Sequence, residues 1–223
     1  MDEAQTRLIV MLTHHDRTVE NAPEVFEACR GTGAEYWGMK EEGLPPERMR
    51  ALYRRMQECG KKTALEVVAY TEAEGLQGAQ LAAGCGCDLL MGTLFFDSIA
   101  AFCRTHGLRY LPFVGRVHGR PSVLDGAPEE MVRQAGDCLR RGAFGVDLLG
   151  YRHTGDKSAL IRRFTAEVPA PVCVAGSIDS FARLAEIKRA APWAFTIGSA
   201  FFEEKFGTGF ASQIGRVLDF LRA

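Results

Sequence analysis

Short apolar segments recur eight times along this chain, and an amphipathic segment follows each of them. Their starts lie roughly 20 to 36 residues apart, which is the length that a strand, a crossover helix and two loops require in a parallel sheet. Eight such units close a barrel. The pattern therefore predicts a single (β/α)8 TIM barrel, an α/β fold with eight parallel strands inside a ring of helices. The apolar segments are Leu8–Thr13, Glu35–Met39, Ala64–Val68, Asp88–Gly92, Arg109–Val114, Gly145–Leu149, Pro171–Ala175 and Ala194–Gly198.

Composition and charge are those of one globular domain over residues 1–223. The chain is 47% hydrophobic and 25% charged, and its net charge of -1 gives no overall attraction for nucleic acid or a membrane surface. The N-terminus is acidic and polar, and the apolar stretch Leu8 to Leu12 is too short for a signal sequence or a membrane span. The seven cysteines are an odd number in apolar contexts, as expected of reduced thiols. We therefore expect a cytoplasmic protein.

Two of the apolar segments end in Gly-Ser at the point where a helix must begin. Gly176-Ser177 follows the seventh segment and Gly198-Ser199 follows the eighth. Glycine lets main-chain N–H groups approach a ligand closely, and such amides together with serine hydroxyls suit a phosphate group. Serine also caps helices, so one such motif would be weak evidence, but two in the last two repeats coincide with the recurring phosphate site of barrels. We predict that these four residues bind phosphate.

These paired motifs resemble those of the phosphate-binding (β/α)8 barrels. That superfamily includes ribulose-phosphate epimerases, keto-sugar-phosphate aldolases, indole-glycerol-phosphate synthase and glycerol-responsive antiterminator proteins. The stretch from Gly198 to Phe201 is similar to the epimerase version of the eighth-strand motif. The resemblance implies that main-chain amides of the four Gly-Ser residues hold the ligand phosphate. It covers the repeat pattern of the whole chain and specific residues only in the last quarter.

The chain departs from two activities of that superfamily. The metal-dependent epimerases use His and Asp at the ends of several successive strands, whereas here His14, His15 and Asp16 cluster after the first strand. The second and third strands offer Lys40 and Glu66 instead. The Asp-x-Lys-x-x-Asp arrangement of the decarboxylases does not occur. A metal epimerase and a decarboxylase are both disfavoured.

Lys40 and Glu66 are the leading catalytic candidates. A Lys at a strand terminus can lose its proton and form a Schiff base with a ketone, as in aldolases, although Lys40 could equally be a solvated partner of Glu41 or Glu42. Glu66 stands in an apolar strand, where a carboxylate must be hydrogen-bonded or shift its pKa, which suits a general base. The alternative for Glu66 is a structural ion pair with Lys40.

Further polar residues are predicted at the same end of the barrel. One of His14 and His15 could act as a general acid or base, with Asp16 beside them. Neighbouring residues on an extended strand point to opposite faces, so both imidazoles could bind one cation only if the chain had already turned. We therefore predict no resident metal or cofactor, while leaving a divalent metal open. Asp147, in the sixth strand, could be catalytic or a hydrogen-bonded core residue.

Basic residues complete the predicted site. Arg116, His118 and Arg120 occupy the long connection from Gly115 to Ala127, which we expect to cover the mouth of the barrel. Arg side chains match the geometry of phosphate and carboxylate, so we predict that Arg116 and Arg152 bind an anionic substrate. The alternative is a solvated basic loop.

Together these residues predict an enzyme that acts on a small phosphorylated metabolite, as an aldolase-like lyase or as an isomerase or epimerase. The alternative is a non-catalytic sensor of a phosphorylated metabolite, similar to the antiterminator barrels. The expected partner is a phosphorylated small molecule, with neither membrane nor nucleic acid. A homo-oligomer stays open, because Phe201, Phe202 and Phe206 could form a dimer surface or pack under the last helix.

Overall fold

Eight parallel strands form one sheet that curves into a nearly closed barrel in the computed structural model. The structure describes residues 6–223. Residues 1–5, whose acidic and polar character supported the expectation of a cytoplasmic protein, lie outside the described residues. The predicted barrel fold is thus confirmed. In chain order the strands are β1 (Arg7–Met11), β2 (Tyr36–Lys40), β3 (Lys62–Val67), β4 (Leu89–Gly92), β5 (Arg109–Leu111), β6 (Val146–Leu148), β7 (Val172–Val174) and β8 (Ala194–Ile197).

In the described part of the chain, α-helices surround the sheet, one after each of the first seven strands and two after the eighth. None of the helices between residues 6 and 223 combines the length and the apolar character needed to cross a membrane. They are α1 (Ala22–Cys29), α2 (Pro46–Glu58), α3 (Glu72–Gly84), α4 (Asp97–Thr105), α5 (Pro128–Arg140), α6 (Lys157–Glu167), α7 (Phe181–Ala190), α8 (Ser199–Phe202) and α9 (Phe210–Arg222).

The sheet order is β6-β7-β8-β1-β2-β3-β4-β5, so the ring must close between β5 and β6. Closure there is short: Phe113 and Asp147 form one parallel bridge just beyond the end of β5. The amide of Asp147 donates to the carbonyl of Pro112 at 2.9 Å, and the amide of Phe144 donates to that of Tyr110 at 2.9 Å. Pro112 has no N–H to offer a neighbouring strand, which fits a strand that ends at Leu111 rather than at the expected Val114.

Alternation along the strands places three ionisable side chains inside the barrel. Successive residues of a strand face opposite sides of the sheet. Met39, Leu65 and Val67 belong to the apolar layer between sheet and helices, so their neighbours Lys40 and Glu66 face the interior. By the same pattern Asp147 faces inward, since the residues on each side of it belong to that outer layer.

Two small hairpins lie at the C-terminal end of the barrel strands. Thr13–His14 pairs with Arg17–Thr18, and Arg116–His118 pairs with Val123–Asp125. The second hairpin lies within the long connection after β5, which the sequence predicts to cover the mouth of the barrel.

The aromatic residues after β8 pack mainly inward. Phe201 and Phe206 are each 1% exposed, and the ring of Phe201 lies 5.2 Å from that of Phe210 on α9. Of the two alternatives for these side chains, packing under the last helix is the one observed for Phe201 and Phe206.

Candidate functional site

A cavity of about 170 Å³ opens at the C-terminal ends of the strands. This is the face on which barrels carry their active sites. Eight of the predicted site residues line it, and they come from the segments after β1, β6, β7 and β8 and from β2 and β3. These residues are Asp16, Lys40, Glu66, Arg152, Gly176, Ser177, Gly198 and Ser199.

Lys40 lies between two carboxylates at the bottom of this cavity. Its Nζ is 2.5 Å from Asp16 Oδ1 and 3.4 Å from Glu66 Oε1, and all three side chains are at least four-fifths buried. The Glu66 contact follows from strand register, since Lys40 and Glu66 are direct partners in the β2–β3 pair. Thr18 fixes the backbone beside it: its hydroxyl donates to the Lys40 carbonyl at 2.8 Å and accepts from the Lys40 amide at 2.9 Å.

The two carboxylates keep the Lys40 amine in its charged form. Burial alone would lower the pKa of Lys40, but Glu66 and Asp16 outweigh it and raise the pKa above its usual value. Burial acts to raise the pKa of Asp16, but Lys40 and Arg152 leave it below the usual value. Lys40 is therefore an ammonium ion held between two carboxylates. Glu41 and Glu42, the alternative partners considered from the sequence, pair with Arg120 instead.

Asp147 lies below this cluster rather than in the cavity lining. Its side chain is completely buried, and neither carboxyl oxygen has a hydrogen-bond partner among the described residues. Burial, followed by the nearby charge of Glu66, raises its pKa well above the usual range despite the opposing effect of Lys40. Burial without a hydrogen-bond partner thus favours the protonated, neutral form of Asp147.

Arg152 crosses the mouth of the cavity. Its Nη2 is 3.7 Å from Asp16 Oδ1, and its Nη1 donates to the Ser122 carbonyl at 3.3 Å. The Arg152 chain lies so close to Gly176 that a Cβ there would be 2.7 Å from Arg152 Cγ. Only glycine fits under the arginine, and Gly176 also has a φ of +86°, which favours glycine.

The two Gly-Ser turns line one wall of the cavity, as their positions after β7 and β8 require. Ser177 has a φ of +53°, and Gly198 approaches Thr13 so closely that a Cβ would lie 2.4 Å from its hydroxyl. Among residues 6–223, no protein group accepts a hydrogen bond from the main-chain amides of these four residues. The Ser199 hydroxyl accepts one from the His15 amide at 3.2 Å. The turns therefore present unpaired amides, and their affinity for phosphate stays a prediction.

His14 and His15 lie at the rim, outside the cavity lining. The first hairpin turns at His15 and Asp16, which have φ values of +47° and +66°. The imidazole rings consequently stack on each other, with centroids 3.8 Å apart. The chain has already turned here, which is the condition under which two adjacent histidines could face the same side.

Other predicted residues make their contacts elsewhere. Arg116 is exposed on the second hairpin and does not line the cavity. His118 pairs with Asp125 at 2.7 Å. Arg120 joins Glu41 at 3.0 Å and Glu42 at 2.8 Å, so it ties the hairpin to the loop after β2. Of the connection that was expected to cover the mouth, Ser122 lines the cavity.

Several cavity residues have no signature that a sequence pattern would single out. Thr13, Ser122 and Thr196 are small hydroxyl residues of common type. Glu203 follows α8, in a stretch that the sequence marks only as a continuation of the Gly-Ser motif. Its position at the cavity depends on how far α8 extends, which the sequence does not fix.

Comparison with family models gave no match, and comparison with curated proteins gave none. Among solved structures, the chain is similar to native KDPGal, with a TM-score of 0.71, 16% identity, and 96% of this chain and 94% of that one covered. It is also similar to ligand-free tryptophan synthase from M. tuberculosis, with a TM-score of 0.68, 13% identity and coverage of 99% and 94%.

A third similar structure is a 4-hydroxy-2-oxoglutarate and 2-dehydro-3-deoxyphosphogluconate aldolase from TTHB1. Its TM-score is 0.65, with 16% identity and coverage of 98% and 96%. The chain shares the (β/α)8 barrel fold of these proteins. The resemblance to the phosphate-binding barrels is thereby confirmed at the level of the fold.

Proposed function

We propose that this protein is an enzyme that acts on a small phosphorylated carbonyl compound, either by carbon–carbon lysis or by proton transfer beside the carbonyl. One observation carries the proposal: a buried ammonium, Lys40, and a carboxylate, Glu66, share one cavity with two turns of unpaired amides. The aldolase name of one similar structure agrees with this class, although barrels in general host many unrelated activities.

The phosphate end of the substrate would lie against the Gly-Ser turns. Unpaired main-chain amides at these positions suit a phosphate, because they donate hydrogen bonds without a side chain in the way. Arg152, beside Gly176, would add a charged donor for the phosphate or for a neighbouring carboxylate.

The reacting end would lie over Lys40. A fixed ammonium stabilises the negative charge that develops on a carbonyl oxygen when the adjacent carbon loses a proton or a carbon–carbon bond breaks. Glu66, 3.4 Å from that ammonium, would accept the proton and return it. Because Lys40 is ion-paired and charged, we assign it this electrostatic role and not that of a Schiff-base nucleophile.

The test combines ligand binding with turnover. Phosphorylated keto and aldo sugars are screened by thermal shift, since a ligand that binds only the folded state raises the melting temperature. We expect a stabilising ligand whose effect is lost in Ser177→Asp, because its carboxylate repels the phosphate, and kept in the neutral, equally sized Ser177→Asn. Ser177 is exposed and both residues tolerate its positive φ, so neither variant should unfold.

Glu66→Gln then separates an enzyme from a sensor. We expect this variant to bind the ligand but to lose roughly 100-fold or more of the turnover, as for other general bases. Glu24→Gln, on the exposed surface of α1, is the matched control and should leave turnover unchanged. Binding without turnover in the unmodified protein would favour the sensor, and absence of any stabilising phosphorylated compound would refute the phosphate site.

A further inference from the structure

Two adjacent imidazoles converge on a carboxylate at the rim of the cavity. The left-handed backbone at His15 and Asp16 turns the chain so tightly that His14 and His15 project to the same side. Glu203, which follows α8 and lines the cavity, reaches them from the other side of the β1–β8 pair. One potential ligand atom from each of the three residues lies within 4.8 Å of the other two.

The separation of His14 and Glu203 is close to that of two ligands in a metal centre. His14 Nε2 and Glu203 Oε1 are 3.7 Å apart, too far for a hydrogen bond. Ligand atoms about 2.1 Å from a tetrahedral zinc lie roughly 3.4 Å from each other, so this pair needs a shift of only a few tenths of an ångström. The ligand atom of His15 lies within 4.8 Å of both. Within residues 6–223, the buried His14 Nε2 also has no hydrogen-bond partner.

We propose that His14, His15 and Glu203 form a binding site for a divalent transition-metal ion such as Zn²⁺. Imidazole nitrogen and carboxylate oxygen are ligands that this class of ion accepts. Three protein ligands leave at least one coordination position for water or a substrate oxygen, which is the pattern of catalytic rather than structural sites. The histidines are partly or fully exposed, so the ion has a path of entry.

Neighbouring groups hold the three ligands in place. Phe202 stacks on the His14 ring with centroids 5.5 Å apart, and the His15 amide is anchored on the Ser199 hydroxyl. Lys205 Nζ lies 3.6 Å from Glu203 Oε2, which leaves the other oxygen directed at His14. Such outer contacts orient ligands and raise the affinity of metal sites.

The position of the site suggests that the ion takes part in substrate binding, an inference that rests on the proposed function. Thr13 and Asp16, on either side of the two histidines, line the same cavity as Lys40. An ion held at the rim could bind an oxygen of the substrate and orient it over that cluster. The existence of the site is independent of that role.

The test is a titration of the chelator-treated full-length protein with Co²⁺, followed by visible absorption, and with Zn²⁺, followed by calorimetry. We expect one ion per chain. His14→Ala and Glu203→Gln should each weaken binding at least about tenfold, because even the loss of an outer-shell partner costs roughly 10 to 100-fold. His106→Ala, an exposed histidine on α4's C-terminal side, is the matched control and should bind like the parent.

Two outcomes would overturn the proposal. One is no saturable binding of either ion, which would leave His14 and Glu203 as a simple ion pair. The other is binding that survives both His14→Ala and Glu203→Gln, as expected if the ion sits on the free thiols. Neither measurement uses substrate, so Co²⁺ binding that persists in Ser177→Asp would support the metal site even if the phosphate site failed.

Discussion

A carboxyl group in the interior of the barrel makes Asp147 a source of pH-dependent stability. The Asp147 carboxyl group keeps its proton to a higher pH in the folded protein than in the unfolded chain, because burial and the charge of Glu66 raise its pKa. Above the pKa of the unfolded chain, stability therefore falls as pH rises, until the folded pKa is passed. Asp147→Asn cannot lose a proton, so its stability relative to the parent should increase over that range.

The measurement is urea unfolding of both proteins from about pH 5 to pH 8. The difference in unfolding free energy should grow in favour of Asp147→Asn by at most about 1.4 kcal/mol per pH unit, the energy of one pKa unit. Asp156→Asn serves as a control for the loss of a carboxylate, because Asp156 is an exposed helix cap. A difference that stays constant with pH would mean that Asp147 is ionised in the folded state.

Individual site residues differ in how well the sequence reveals them. Lys40, Glu66 and Asp147 are recognisable because each interrupts an apolar strand, and alternation then assigns them to the interior. The contacts of His14 and His15 are not recognisable, because they depend on two left-handed residues in a tight turn. Glu203 is harder still, since its place is set by the length of α8.

At the scale of elements, α3 depends on two glycines for its close packing, Gly78 against the sheet and Gly75 against α4. A Cβ at Gly78 would lie 2.4 Å from Val67 Cγ1 on β3, and one at Gly75 would lie 2.4 Å from Ile99 Cδ1 on α4. Gly78→Ala should therefore destabilise the protein by roughly 1–3 kcal/mol, the usual cost of overpacking. Chemical denaturation measures this change directly.

Gly215→Ala on α9 provides the matched control. No atom lies within 4 Å of a Cβ built there, so the substitution should be neutral or stabilise by up to about 1 kcal/mol through helix propensity. Equal effects of the two substitutions would show that α3 can move away from β3 without cost.

Whole elements were easier to predict than their ends. Each of the eight apolar segments overlaps a strand, because apolar runs of this length between amphipathic segments usually form buried strands in a chain of this size. The fifth strand is shorter than its apolar segment, since Pro112 interrupts it. The hairpin after it was missed because its strands are three residues long and mix exposed and buried positions.

At the scale of the whole molecule, the ring has one weak junction. Strands β2 and β3 align over five residue pairs, whereas in residues 6–223 the junction of β5 and β6 contains one bridge, between Phe113 and Asp147, and the hydrogen bond from the Phe144 amide to the Tyr110 carbonyl. The number of repeats predicts that the barrel closes, but it does not predict how many hydrogen bonds join each pair of neighbouring strands. A junction with few hydrogen bonds and an unpaired carboxyl beside it is the place where local opening should cost least.

Amide hydrogen exchange, followed residue by residue by NMR, tests this junction. The amides of Phe144 and Asp147, which bridge to the strand before them, should exchange faster than those of Leu65 and Glu66 inside β3. If opening at the junction lets the Asp147 carboxyl group ionise, then Asp147→Asn, which cannot ionise, should slow exchange there and leave β3 unchanged. Equal protection of both regions would mean that the barrel opens only as a unit.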